Sequence, residues 1–348
     1  MRIDTIFDPE NQPMNIVGFF SGGASSYLAV LEKQRVYQRE VDAGKIEKLP
    51  FRSSIAFTDD PKASGIKKIE AYGVQVIKND LEQYHITRGL PGIRDKKARR
   101  EMDKDTVREI RETFDFDNAE SIGSALNELG EFTDFALLSG YMWYLTDAAI
   151  DSFEVIQNVH PADLTIKNEK GKRKFIGDNA VLDAIVAGQT YTKSSIHIVT
   201  QGIDEGPLTV QSKALEVEPE IVQWASELKK GYKNTKAVIS TLLANKDEWH
   251  IVDYSSPMNN SAVGIREELL ELLHEEYSVN PAEADTIIRV MHYSEKHQGK
   301  MKTECDIPAF IRSVELTAAG QLALKDGKVY MLDNEKWTAI LNGHQLKT

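Results

Sequence analysis

The chain has 348 residues, of which 41% are hydrophobic and 28% charged, as expected for a soluble globular protein of one large domain or two ordinary ones. Its formal charge of −12 disfavours extended contacts with a phosphate backbone, so we expect no nucleic-acid partner. The single cysteine, Cys305, allows no intrachain disulfide, which is typical of a reducing compartment. Without a signal-like N-terminus or an apolar run of membrane-spanning length, we expect a cytoplasmic protein with no membrane partner.

The first part of the chain alternates between strand-like and helix-like patterns. Residues 1–13 are polar and contain two prolines, which predicts a loose arm. The apolar run 15–20 predicts a buried strand, and the glycines of 21–26 predict a tight turn into a helix. Strand, glycine turn and helix are typical of a nucleotide-type α/β unit. The alternation continues in the strand, helix and strand predicted at 53–58, 62–72 and 74–77.

A charged region and a basic loop follow. Residues 95–113 are dense in charge and lack proline and glycine, which predicts an exposed helix, with another helix at 119–130. The basic stretch 167–174 lies in a polar loop at 162–178. Further strands are predicted at 134–140, 154–158, 192–200 and 207–217, with a helix at 179–187. We therefore expect an α/β fold with a doubly wound, mostly parallel sheet.

The character of the chain changes after Pro219. Helical patterns run through 220–230, 233–244, 262–276 and 281–298. The stretch Gln321–Leu332 alternates around Asp326-Gly327, which predicts a hairpin. We expect two domains, 14–216 and a mostly helical C-terminal extension, 217–348, that ends in a small hairpin.

Two short segments carry the residues best suited to chemistry. Asn158 and His160 lie two apart on a predicted strand, so both side chains leave the same face. An Asn-x-His pair alone is more often structural, but His197 on another strand is followed seven residues later by Asp204, in a turn fixed by Gly206-Pro207. An amide, two imidazoles and a carboxylate at one sheet edge can bind a developing oxyanion and move a proton.

The turn at Ser21, Gly22, Gly23, Ala24, Ser25 and Ser26 allows two interpretations. Its glycines let backbone N–H groups approach an anion at a helix N-terminus, which favours phosphate binding. It can equally be a tight turn in which Ser25 or Ser26 caps the helix. It also resembles the Ser-Gly-Gly-x-Asp-Ser loop of ATP pyrophosphatases, but Ser25 stands where that loop has aspartate, which disfavours ATP.

Several segments, in the same order along 14–216, resemble the folate-dependent formyltransferases, closest to the phosphoribosylglycinamide formyltransferases. Asn15–Gly22 is similar to the family's opening strand and phosphate loop, and Leu138–Leu145 to its Leu-Ala-Gly-Phe-Met-Arg-Ile-Leu. Asn158–Pro161 resembles Asn-Ile-His-Pro. Ser195–Thr200 and Ile203–Pro207 resemble Ser-Val-His-Phe-Val-Thr and Leu-Asp-Gly-Gly-Pro, with the same histidine-to-aspartate spacing.

The resemblance implies a Rossmann-like formyltransferase domain that transfers a formyl group from 10-formyltetrahydrofolate to a small-molecule amine, as in purine biosynthesis. Asn158 and a protonated His160 would stabilise the tetrahedral oxyanion. Asp204 would keep His160 charged or relay the amine proton through water, since a nearby carboxylate raises the pKa of a histidine. His197 would support them.

The resemblance also implies binding residues. Met142, Trp143, Leu145, Gly202 and Ile203 would bind the folate, and Ser21–Ser26 the substrate phosphate. Gly140 and, in a loosely similar C-terminal helix, Glu295 would contact the substrate. No metal is expected, and a homo-oligomer is possible.

Departures from the family pattern leave the acceptor open. The phosphate loop has Gly23, Ala24 and Ser26 where the family has Asn, Gly and Asn, and Trp143 replaces an arginine. The loop 162–178 is longer and more basic than the family's, and its basic stretch is either solvated or binds a substrate phosphate or a folate polyglutamate tail. Alternatives are a sugar-amine formyltransferase, a formyltetrahydrofolate deformylase, whose Asp-Glu-Gly-Pro occurs at Asp204–Pro207, and an inactive ligand-binding module.

Overall fold

The computed structural model describes residues 5–10, 12–93, 102–132, 135–231, 235–244, 271, 273–333 and 336–346. The chain packs into two compact units. The first comprises Met1–Asp178, Lys193–Lys213 and Lys302–Thr348, and the second comprises Asn179–Thr192 and Ala214–Met301. None of the helices in these described ranges is long and apolar enough to cross a membrane. The residues predicted for catalysis all belong to the first unit.

The centre of the first unit is an eight-stranded sheet. Its strands are Met14–Phe20 (β1), Phe51–Thr58 (β2), Gln75–Lys78 (β3), Phe135–Leu138 (β4), Val155–His160 (β5), Ser195–Ile198 (β7), Leu208–Gln211 (β8) and His344–Gln345 (β13). Their order is β13-β8-β7-β5-β4-β1-β2-β3. The run from β5 to β3 is parallel, whereas β7 is antiparallel to both β5 and β8. The carboxyl ends of β1, β4 and β5 therefore meet at one edge, where ligands bind in such sheets.

Helices cover both faces of this sheet. They are Ser25–Asp42 (α1), Ile66–Glu70 (α2), Leu81–Thr87 (α3), Lys104–Glu128 (α4), Asp147–Ile150 (α5) and Ile307–Ala318 (α10), the last preceded by a π-helix at Lys302–Asp306. Successive side chains of a strand point to opposite faces, so Ile16 of β1 joins one apolar core and Val17 the other. The first core includes residues of α1 and α10, and the second includes residues of α4.

The second unit is mostly helical. Its elements are Ala180–Val186 (α6), Tyr191–Thr192 (β6), Leu215–Glu216 (β9), Pro219–Gly231 (α7), Thr235–Ala244 (α8) and Pro281–Met301 (α9). The two short strands pair antiparallel. A buried polar contact joins β6 to α9, where Thr192 Oγ1 lies 2.8 Å from His297 Nε2. Because polar groups cost free energy to bury without a partner, this contact helps to fix how these elements pack.

The predicted fold class is confirmed: a doubly wound, mostly parallel α/β sheet, followed by a helical C-terminal region and small antiparallel strands. The hairpin predicted at Gln321–Leu332 is formed by Leu322–Lys325 (β10) and Lys328–Asp333 (β11). A third strand, Lys336–Ala339 (β12), pairs with β11, and β13 then joins the main sheet beside β8.

Two helix predictions differ from the structure. The separate helices predicted at 95–113 and 119–130 are one helix, α4, because nothing between them breaks the backbone hydrogen-bond pattern. Residues 95–101 of the first prediction lie outside the described residues, as do 262–270 and 272 of the helix predicted at 262–276.

The predicted domain boundary at residue 216 falls within the second compact unit, and residues 302–348 pack with the first. The extent of the catalytic domain stays a prediction.

The loose arm predicted for residues 1–13 is wrong for residues 5–7. Thr5 forms a bridge with Ala323, and the Ile6 N–H donates to the Leu322 carbonyl at 2.9 Å. Ile6 and Phe7 are both buried in the first core. These two apolar residues gain free energy by leaving water, and the edge of β10 supplies backbone partners for the segment.

We expect Phe7→Ala to lower the free energy of unfolding by about 3 kcal/mol, because it removes a buried aromatic side chain from the core. Urea unfolding of the full chain measures the change. Phe132→Ala is the matched control, since the Phe132 side chain is 69% exposed and should change little. Equal small effects at both positions would contradict burial of the N-terminal segment.

Candidate active site

The adjacent strands β5 and β7 bring the first polar residues of the site together. Their antiparallel register places Asn158 opposite His197 and His160 opposite Ser195. This register brings the side chains of Asn158 and His197 into contact, with Asn158 Nδ2 3.3 Å from His197 Nε2. His197 is fixed from its other side, because its Nδ1 donates to the Ile198 carbonyl at 3.0 Å. The sheet therefore orients both groups through its backbone.

Asp204 completes the set by reaching both imidazoles. Its Oδ2 lies 3.4 Å from His160 Nδ1, and its Oδ1 lies 3.3 Å from His197 Nε2. The side chains of His160, His197 and Asp204 are only 6%, 3% and 9% exposed. The two imidazoles thus meet one buried carboxylate, and Asn158 joins this group through its contact with His197, although the four residues come from two strands and a loop.

The turn that carries Asp204 is tightly constrained. Asp204 has a φ of 52°, a left-handed conformation that costs a residue with a Cβ about 1–2 kcal/mol. At Gly206 a Cβ would lie 1.7 Å from the Ile198 carbonyl oxygen, so only glycine fits. The Gly177 N–H donates to Asp204 Oδ2 at 3.0 Å, and Arg173 donates to the carbonyls of Asp204 and Gly206. The segment 173–177 therefore helps to hold this turn.

Burial and the Asp204 carboxylate act on the pKa of His160 in opposite directions. Loss of solvent lowers the pKa of His160 below its usual value; the Asp204 carboxylate opposes this shift, while His197 and Arg173 add to it. The carboxylate thus acts in the direction expected from the sequence, against the effect of burial, and the protonation of His160 by Asp204 stays a prediction. In the structure His160 Nε2 donates to the Phe175 carbonyl at 2.9 Å.

Asp204 is held in its charged form. Burial alone would raise the pKa of its carboxyl, but the hydrogen bond with His197, the charge of His160 and the Gly177 N–H together bring it well below the usual range. A carboxylate so stabilised is a poor proton acceptor, and it is suited to orient a neighbouring imidazole and to stabilise positive charge on it.

The predicted folate segment borders a cleft of about 520 Å³, within the usual size range of ligand pockets. Among the predicted residues, Leu145 lines this cleft, and so does Gln201, which precedes Gly202 and Ile203. Met142 and Ile203 are 57% and 60% exposed. Trp143 is half-buried against the second core. Large apolar groups at the surface are available to a flat apolar ligand.

Sequence reasoning missed the residues that hold this segment. Residues 141–146 have no regular structure, yet polar side chains fix their backbone at alternate positions. Ser21 Oγ accepts from the Met142 N–H at 3.0 Å, Arg111 Nη2 donates to the Tyr144 carbonyl at 3.0 Å, and Asp115 Oδ2 accepts from the Thr146 N–H at 2.7 Å. Ser21 was predicted for an anion, not for this contact.

Arg111 and Asp115 are an ion pair inside the protein. Both side chains are 2% exposed, and their closest charged atoms are 3.7 Å apart. The sequence signal lies in spacing: Arg111, Phe114, Asp115 and Asn118 follow the i, i+3, i+4, i+7 pattern of one helix face, and all are buried. Of these residues only Arg111 lies in the exposed helix predicted at 95–113, and there the prediction of exposure is wrong.

The predicted anion loop opens α1 without a serine cap. Its N-cap is Ala24, in a left-handed conformation with a φ of 53° and no side-chain cap. Neither Ser25 nor Ser26 is that cap, which corrects the second interpretation of the turn. The Tyr27 N–H donates instead to Ser139 Oγ at 3.0 Å. No heavy atom lies within 4 Å of a Cβ placed on Gly22, so the loop leaves space there; anion binding stays a prediction.

The other predicted residues are placed as follows. Gly140 lies beside the anion loop, because its carbonyl accepts from the Ser21 N–H at 3.1 Å. Glu295 lies on α9 of the second unit, and its substrate contact stays a prediction. Among the residues that the structure describes, none of the His, Cys, Asp and Glu side chains form a cluster suited to a metal ion.

We expect Arg111→Met to lower the free energy of unfolding by about 3–5 kcal/mol, because it leaves Asp115 buried without its cation. Urea unfolding measures this change. Arg108→Met is the control and should have little effect. Arg108 lies on the same helix, three residues before Arg111, and pairs with Glu112, but its side chain is exposed. If both variants lose the same stability, Arg111 and Asp115 do not stabilise each other.

Comparisons with known proteins place the chain in a family. A family model described as formyl transferase matches residues 14–242, more than half of the chain. The chain is 18% identical to glycinamide ribonucleotide transformylase 1 from Symbiobacterium toebii, covering 93% of this chain and 96% of that one, with a TM-score of 0.47. It is 15% identical to the phosphoribosylglycinamide formyltransferase of Coxiella burnetii, covering 97% and 100%, with a TM-score of 0.48. On the evidence of the family model, the chain belongs to the formyl transferase family.

Proposed function

We propose that this protein transfers a formyl group from 10-formyltetrahydrofolate to a small-molecule amine, with Asn158, His160 and Asp204 as catalytic residues. Membership of the formyl transferase family supports a formyl-transferring enzyme. The observation that carries the finer proposal is that the imidazoles of His160 and His197 both meet the Asp204 carboxylate, at 3.4 and 3.3 Å, while Asn158 lies 3.3 Å from His197. A merely structural set would not need an amide and two imidazoles at a sheet edge that binds ligands.

Two groups are suited to stabilise negative charge on the formyl oxygen. His160 carries a hydrogen on Nε2, which now meets the Phe175 carbonyl, and the formyl oxygen would take the place of that carbonyl. Asn158 Nδ2 is the second donor, held toward the site by His197. As charge develops on the oxygen, it favours the protonated form of His160, and Asp204 stabilises the resulting imidazolium.

Proton transfer must balance the exchange of groups. The attacking amine forms a C–N bond and loses one proton, while the bond from the formyl carbon to the folate nitrogen breaks and that nitrogen gains one. His160 is the catalytic residue proposed to accept and release this proton, because Asp204, whose pKa is well below the usual range, is a poor proton acceptor. Asp204 then keeps the imidazole oriented during both steps.

The cleft beside residues 144–146 fits the folate. Its volume of about 520 Å³ suits a bicyclic ring and its attached benzoyl group. Met142, Trp143 and Leu145 would supply apolar contact and backbone hydrogen bonds, and Gly202 and Ile203 would cover the opposite side. When bound, the folate supplies the activated formyl group. The buried anchors Ser21, Arg111 and Asp115 would keep this wall in one shape.

The acceptor is proposed only as an amine that carries an anionic group. The loop Ser21–Ser26 precedes the 18-residue helix α1, and Gly22 leaves space for a ligand oxygen. Phosphoribosylglycinamide and phosphorylated amino sugars both satisfy this chemistry. Hydrolysis is the second candidate, favoured by the sequence Asp204-Glu205-Gly206-Pro207 that deformylases share.

The experiment that tests this proposal incubates the full chain with 10-formyltetrahydrofolate and follows the deformylated folate. Phosphoribosylglycinamide, amino sugars and no acceptor form separate arms. Release that requires an amine supports transfer, and release of formate without an amine supports hydrolysis. No release in any arm would overturn both candidates in favour of a binding module.

We expect Asn158→Ala and His160→Ala each to reduce turnover about 10²–10³-fold, since each removes a donor to the developing oxyanion. Binding of the folate should change little, because neither side chain lines the cleft. Steady-state kinetics and fluorescence titration separate the two effects. Asn342→Ala is the control, as Asn342 lies at an exposed turn before β13 and outside the site. Normal turnover of either site variant would exclude that residue from catalysis.

A further inference from the structure

The polar loop 162–178 folds onto the active site as a small hairpin. Lys167 and Arg173 form an antiparallel bridge, the Asn168 N–H donates to the Lys172 carbonyl at 2.8 Å, and the Lys174 N–H donates to the Ile166 carbonyl at 3.0 Å. The lysines of this hairpin are exposed, whereas Arg173 is partly buried. The basic residues are therefore not equivalent: the lysine side chains are exposed to solvent, and the Arg173 side chain is packed against the protein.

The guanidinium of Arg173 spans the turn that carries Asp204. Nη1 donates to the Asp204 carbonyl, and Nη2 donates to the Gly206 carbonyl at 2.7 Å. These two carbonyls belong to the residues that constrain the turn most, since Asp204 is left-handed and Gly206 admits no Cβ. A planar fork that bonds two carbonyls restrains the position of the backbone between them.

The same backbone determines where the Asp204 carboxylate points. Oδ2 faces His160 and Oδ1 faces His197, and each imidazole is fixed by its own strand. A small displacement of the turn would lengthen both contacts at once, since the two strands would not follow it. We propose that Arg173 is a positioning residue that holds Asp204 in register with His160 and His197; this inference rests on the proposed function.

Only arginine meets this geometry. A lysine ammonium presents one charged nitrogen, which can approach one of the two carbonyls but does not bridge them as a rigid fork. Arg173 also affects His160 through its charge, which acts on the imidazole together with the charges of Asp204 and His197. Loss of the Arg173 cation should therefore raise the pKa of His160, and neutralisation alone would do so without any movement of the turn.

The test compares Arg173→Ala, Arg173→Lys and Arg173→Gln with the wild-type chain. We expect kcat to fall about 10²-fold in each variant, as for a misplaced catalytic group, while KM for 10-formyltetrahydrofolate stays within about twofold. Millimolar guanidinium should restore part of the activity of Arg173→Ala and leave the other proteins unchanged. The reaction needs neutral His160 to accept the amine proton, so a higher pKa of His160 moves the acid limb of the pH profile to higher pH. We expect this shift in Arg173→Ala and Arg173→Gln. Arg35→Met is the matched control, since Arg35 also donates to a backbone carbonyl, that of Ala71, but on the surface.

A readout independent of turnover separates this inference from the proposed function. NMR titration of the imidazoles should show a lowered pKa for His160 and changed chemical shifts for His197 in Arg173→Lys, because this variant keeps the cation but lets the Asp204 carboxylate, which raises the pKa of His160, move away. Unchanged imidazole signals in a folded Arg173→Lys, or a rise in KM without loss of kcat, would overturn the positioning role. If the wild-type chain transfers no formyl group while these signals change, the proposed function fails and the positioning role stands.

Discussion

The buried carboxylate of Asp204 is the constraint on which the candidate active site depends. A charged group removed from water must be paired, and Asp204 is paired by two imidazoles and by the Gly177 N–H. Each partner comes from a different part of the chain, so all of them must be placed before the charge is tolerated. The left-handed turn and the Arg173 contacts are the local devices that bring the carboxylate there.

A second set of buried charges shapes the wall of the cleft. Arg111 and Asp115 lie in the interior beneath an irregular segment and bond its backbone at Tyr144 and Thr146. An irregular segment has backbone groups that no strand or helix satisfies, so side chains must supply the partners. The fold therefore uses a helix face in place of a sheet edge to fix residues that a ligand would contact.

The two arrangements belong to one edge of the same sheet. Strands β1, β4 and β5 are parallel neighbours. A residue of the site lies at or just after the carboxyl end of each strand: Ser21 after β1, Gly140 after β4 and His160 at the end of β5. The family model covers 14–242, so it includes these strand ends and the turn of Asp204. Formyl transfer requires donor and acceptor groups near one another, and a parallel sheet provides this by its topology.

The sequence by itself determined the α/β class and the choice of Asn158, His160, His197 and Asp204 as candidate site residues, because strand periodicity and short motifs are local properties of the chain. It did not determine that His160 has a lowered pKa, that Arg111 and Asp115 are buried, or that Ile6 and Phe7 pack into the core. Only the tertiary structure decided these points, since desolvation and ion pairing depend on what surrounds a group in space. Arg173 shows the difference most directly: it is one cation of a basic stretch in the sequence, and it binds the turn of Asp204 in the folded chain.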